Sequence, residues 1–151
     1  MGENDVLTVI LTALHIAFAA VWFGNRIGLT SDISETIHDM DGPAEGLIRR
    51  MVRSARFDWM AAAGVFVTGA LLVVRIGPGD VGVSVWLGAA AALALVVVTL
   101  LLTRPARKDL KDALAGGLRP EAVAAAKKVS AAMNVEGLLW AFALTLMLIE
   151  T

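Results

Sequence analysis

Twenty-three consecutive positions, Val81 to Thr103, carry no charged side chain. A helix of that length rises about 34 Å, enough to cross a hydrocarbon core of roughly 30 Å. A helix of a soluble four-helix bundle keeps a polar stripe toward water, and this segment has none. Three further segments meet the same length requirement. Val6 to Asn25 has His15 as its only ionisable group, Phe57 to Ile76 has Asp58 near its start and Arg75 near its end, and Val129 to Ile149 is interrupted by Asn134 and Glu136. The pattern predicts an all-α, antiparallel four-helix transmembrane bundle. It forms one integral membrane domain over residues 1–151, with spans at about 6–25, 57–76, 81–103 and 129–149. No internal repeat, low-complexity tract or second domain is expected.

Orientation follows from the placement of Lys and Arg, which collect on the cytoplasmic side of membrane proteins. The connection after the first span carries Arg49, Arg50, Arg53 and Arg56. The connection after the third carries Arg104, Arg107, Lys108, Lys111, Arg119, Lys127 and Lys128. Gly77-Pro78-Gly79-Asp80 is a tight turn with only Arg75 beside it, and the start of the chain has acids but no basic side chain. An inner-membrane, multi-pass protein with both termini outside and both basic loops in the cytoplasm is expected. The missing basic n-region argues against a cleaved signal peptide. Prolines followed by acids at Pro43 and Pro120 suit helix starts. Helices two and four are therefore expected from about 43 and 120, while helix one runs on toward Asp39 and helix three to Ala115 before Gly116-Gly117. The bundle then extends two to four turns into the cytoplasm.

Composition excludes several function classes. Hydrophobic residues make up 58% of the chain, and 13 Lys+Arg stand against 14 Asp+Glu for a net charge of −1. A near-neutral chain of pI about 6.1 has no electrostatic footprint for nucleic acid. With no cysteine, disulfides, thiol catalysis and Cys-ligated zinc are excluded. No P-loop, HExxH, GxSxG or paired catalytic carboxylates are present, so catalytic residues are not assigned. The partners expected are the lipid bilayer and a homodimer or larger membrane complex.

Candidate site residues concentrate on helix one. Thr8, Thr12, His15, Ala19, Trp22 and Arg26 alternate at spacings of four and three and share one face. The opposite face, Val9, Ile16, Phe23 and Ile27, suits lipid. His15 lies near the middle of its span, where an ionisable group is by default a functional-site hypothesis; its imidazole is suited to ligate a metal, relay a proton, or bond a hydroxyl across the bundle. Thr68 on helix two stands at a similar height. Arg26 is expected to pair with Glu136 or Asp58, as a structural ion pair or as one end of a site centred on His15. His38 is 23 residues from His15, about 34 Å along one helix, which excludes bis-histidine haem ligation within one chain. Met60 and Met147 are the membrane methionines available to a soft copper site, but at different depths, and packing is their expected role.

His15-Ile-Ala-Phe-Ala-Ala-Val-Trp22-Phe-Gly24, a histidine seven before Trp-x-Gly, resembles the first helix of the CopD-like and HemJ-like small membrane proteins. Thr68-Gly69 after a basic lead-in adds a weaker match on helix two. That group includes copper-resistance membrane proteins and a bacterial protoporphyrinogen oxidase. The resemblance implies a helical bundle with haem b or copper near His15. On that expectation His15 is the metal ligand, Trp22 packs on the macrocycle and Arg26 meets a propionate, in a redox or haem-handling role. Copper or proton transport along a His15–Glu136 route is the alternative, and a ligand-free accessory subunit packing through Gly88-Ala89-Ala90-Ala91-Ala92 is a third.

Overall fold

The computed structural model describes residues 3–38 and 45–149, with side chains over 6–38 and 45–146. The expected helix start at Pro43, residue Asp39 and the Met147 side chain lie outside the described residues. Five α-helical stretches follow one another: α1 (Glu3–His38), α2 (Glu45–Ile76), α3 (Val83–Val98), α4 (Arg104–Ala115) and α5 (Arg119–Ile149). A π-helical turn, Thr99–Thr103, joins α3 to α4 in one rod. Four helical rods thus form an all-α, antiparallel four-helix bundle, with no strand among the described residues. Each rod is long and apolar enough to cross a membrane, which makes the chain a multi-pass membrane protein by length and composition.

At 1.5 Å per residue, the 36 residues of α1 rise about 54 Å. This exceeds the bilayer core by some 24 Å, so α1 is longer than a single span requires. Local signals end these rods as the sequence predicts. Gly117 (φ 67°) closes α4 in a Schellman arrangement: Leu118 N–H donates to Ala113 O at 3.0 Å, and Gly117 N–H to Leu114 O at 3.3 Å. Gly77, at φ 101°, follows α2 and opens the turn that Asp80 N–H closes onto its carbonyl.

Two cores stack along the bundle. The extension buries Leu29, Ile33, Leu47, Met51, Leu110 and Val129 among small residues of α4 and α5. The membrane half buries Trp22, Ala61, Ala62, Val65, Leu95 and Trp140. Trp22 meets Trp140 edge-on, ring centroids 6.1 Å apart at 77°, a geometry favoured by ring quadrupoles. Val9, Ile16 and Ile27 face outward as expected, but Phe23 departs from its expected lipid face and packs on Trp140 at 5.5 Å. Of the alanine-rich run on α3, Gly88 and Ala91 are buried, and α3 packs along α5. Small side chains there allow close approach.

Neighbours in sequence are not all neighbours in space. Helix α1 packs on α2 and α5, and α5 packs on α3 and α4, whereas the backbone of α2 comes close only to α1 and, near the basic end, α4. Although a six-residue turn connects them, α2 and α3 do not pack on each other. The bundle is open along that side.

Candidate functional site: a charge-floored lateral cleft

The polar stripe of α1 is buried more deeply toward the basic end, and its last member is Arg26. Arg26 Nη1 donates to Glu136 Oε2 on α5, and Nη2 donates to Thr99 Oγ1 at 3.0 Å. Glu136 is 0% exposed. Its other oxygen, Oε1, accepts from Thr103 Oγ1 at 2.7 Å and lies 2.6 Å from Thr99 Oγ1. The Thr99 hydroxyl is also 2.8 Å from Leu95 O, so its single proton is shared between two acceptors. The Arg26 guanidinium stands 5.2 Å from the Trp22 ring centroid, within range of a cation–π attraction.

Both threonines reach Glu136 from the π turn, and the sequence supplies a reason for that turn. Pro105 has no N–H for the carbonyl of Leu101, and its ring crowds the preceding turn. The helix widens instead, with Arg104 N–H donating to Thr99 O. Single π turns of this kind recur at functional sites.

A second buried carboxylate sits beside the first. Asp58 Oδ2 accepts from Arg107 Nη1 at 3.2 Å, and Oδ1 from Asn25 Nδ2 at 2.8 Å. Asn25 Nδ2 also lies 3.0 Å from Ser54 O and 2.9 Å from Ser54 Oγ. The two acids and two arginines sum to zero charge, as a low dielectric requires. Satisfaction is incomplete all the same. Arg26 Nε and Arg107 Nε and Nη2 are buried with no hydrogen-bond partner among the described residues.

These groups floor a cleft of about 740 Å³ between α2 and the α3–α4 rod. Trp22, Arg26, Asp58, Thr99 and Arg107 all contribute to its wall. Its sides are apolar toward the membrane half, with Trp59, Val96 and Leu100, and basic toward the extension.

The sequence-predicted site residues divide into two groups. His15 and Thr68 meet away from this cleft. Thr68 Oγ1 lies 2.6 Å from Gly64 O, 3.2 Å from Val65 O and 3.0 Å from His15 Nδ1, so a hydroxyl of α2 fixes the orientation of the imidazole. Gly69 leaves room for the ring: a Cβ there would stand 3.2 Å from His15 Cε1. Trp22 and Arg26 belong to the cleft. Of the two acids expected for Arg26, Glu136 takes it and Asp58 goes to Arg107. Ala19 and Trp22 separate His15 from Arg26 along the stripe, a rise of about 16 Å.

No three His, Asp or Glu side chains converge as a metal-binding group among the described residues. Met60 is 68% exposed. Asn25, Ser54, Thr99, Thr103 and Arg107 were not singled out by sequence. The one available signal was Pro105 within an apolar-to-basic helical run. Compared with protein-family models, with curated proteins and with solved structures, the chain matches none of them.

Proposed function

We propose that this is an inner-membrane binding protein whose working part is the lateral cleft between α2 and the α3–α4 rod. Its ligand enters sideways from the bilayer and is recognised by the buried charge cluster at the floor. The observation that carries this reading is the composition of the wall: the charged side chains of Arg26, Asp58 and Arg107, largely buried in the bundle, line a cleft that is otherwise apolar toward the membrane half. Both termini lie outside and the basic end faces the cytoplasm, because eleven of the 13 Lys and Arg lie in the two basic segments.

Haem b at His15 requires an imidazole and a macrocycle-sized space at one place. One feature favours it: Thr68 hydrogen-bonds Nδ1 and orients the ring, as outer partners of ligating histidines do. Yet the cleft that takes in Trp22 and Arg26 is not lined by His15, and α2 stands against the ring at Gly69. These residues do not fit the group as arranged. A proton or copper route from His15 to Glu136 meets Ala19 and Trp22 in between rather than a polar relay.

Native mass spectrometry from mild detergent tests the proposal. Wild type is expected to retain a small-molecule adduct that Ala55→Trp, which fills the cleft wall, releases. An adduct-free wild type, or an adduct unaffected by Ala55→Trp, would contradict the reading and favour a ligand-free accessory subunit.

A further inference from the structure

The cleft is amphipathic along its length, and its charge is one-sided. Arg56 of α2 and Arg104, Arg107, Lys108 and Lys111 of the rod line its basic end. Asp58 is the one acid on the wall, and Arg107 and Asn25 already engage it. Glu136, behind the wall, neutralises Arg26. Arg56, Arg104, Lys108 and Lys111 therefore face the cleft as surplus positive charge, and none of them forms an ion pair among the described residues.

Trp59, Val96 and Leu100 continue the wall toward the membrane half, where α2 and α3 leave an opening without packing on each other. A ligand matching this wall has an anionic head at the basic end and an apolar chain along the gap. A soluble anion would leave the apolar wall uncovered, and a neutral lipid would leave the cations unmatched.

Resting on the cleft reading above, we infer that the occupant is an anionic glycerophospholipid of the leaflet at the basic end. Its phosphate meets the unpaired Arg56, Arg104, Lys108 and Lys111 side chains at the basic end, and an acyl chain lies between α2 and α3. Arginine suits the phosphate because its planar fork presents several donors at once. The lysines act as point charges that select for net negative lipid, each worth roughly a factor of five in affinity near a membrane surface.

The test uses the full chain in phosphatidylcholine vesicles doped with a minority of brominated lipid, reading quenching of tryptophan fluorescence. Trp59→Phe isolates the contribution of Trp59. Brominated phosphatidylglycerol is expected to quench Trp59 at a concentration at least about fivefold lower than brominated phosphatidylcholine. Lys108→Ala/Lys111→Ala, two exposed positions whose loss leaves the core intact, should remove most of that preference. Arg107→Gln should weaken it further, and inorganic phosphate should not displace the lipid. Equal quenching by both lipids would overturn the anionic-lipid inference while leaving a lipid-accessible cleft. Displacement by inorganic phosphate would assign the site to a free anion and also overturn it. Absence of Trp59 quenching by either lipid would overturn both this inference and the cleft reading.

Discussion

Glu136 shows how the membrane half is held. The drive to remove apolar surface from water is absent between helices in lipid, where tails are as apolar as leucine. Specific polar contacts carry more of the organisation, and one carboxylate here collects Arg26, Thr99 and Thr103 from two other rods. Glu136→Gln leaves a buried arginine without its counter-charge, at an expected cost of about 3–5 kcal/mol. The double variant Arg26→Gln/Glu136→Gln should cost clearly less than the two single changes combined, measured by denaturant titration in micelles. Gly64 is a second sensitive position: a Cβ there would stand 2.5 Å from the Phe18 ring. The ring's inner atoms cannot swing aside like a chain end, so Gly64→Ala should destabilise the α1–α2 seam by about 1–3 kcal/mol.

At this scale the sequence was informative wherever heights could be compared. A fixed rise per residue puts Thr68 level with His15 and Arg26 within reach of Glu136, and both contacts form. Arg107 was not legible, because seven basic residues share its segment. Which one turns inward depends on the face α4 buries, set by Ala106, Leu110 and Ala113. Asn25 escaped notice because it lies a full 100° step off the stripe that ends at Arg26.

Among the elements, the α3–α4 rod carries the largest departure from a regular helix. The helical run to Ala115 was readable from the glycines that end it, but the π turn was not. A proline in a helix announces a disturbance, and whether it becomes a kink or a wide turn depends on the partners awaiting the freed groups. Here the wide turn places the Thr99 and Thr103 hydroxyls on Glu136 and Arg26. The two stacked cores also differ in what stabilises them. Leu110 and Leu95 are buried alike, at 0% and 1% exposed; if the basic end stands in water and the other in lipid, only the first leaves water when the bundle forms. Leu110→Ala should therefore cost about 2–5 kcal/mol. Leu95→Ala should cost distinctly less, because only its packing is lost. Equal costs would contradict an aqueous extension below a membrane half.

The whole molecule is an arrangement of four rods in which one pair of sequence neighbours does not close. That gap gives the chain a cleft, and the charge distribution gives the cleft a direction. A reporter fused after Thr151 is expected to be active only when it is one that works outside the cytoplasm; activity of a cytoplasm-only reporter would contradict the orientation. The near-neutral net charge concealed this polarity, since basic groups gather at one end while Glu136 and Asp58 lie within the helices. The open side itself was not legible from sequence, because a tight turn such as Gly77–Asp80 ordinarily joins packed helices.

If the charge-floored cleft rather than His15 is the working site, native mass spectrometry of His15→Ala beside Arg107→Gln, both confirmed helical by circular dichroism, separates the two. His15→Ala is expected to keep the bound adduct and Arg107→Gln to lose most of it. Loss of the adduct, or of a visible absorption band, in His15→Ala with retention in Arg107→Gln would contradict that reading.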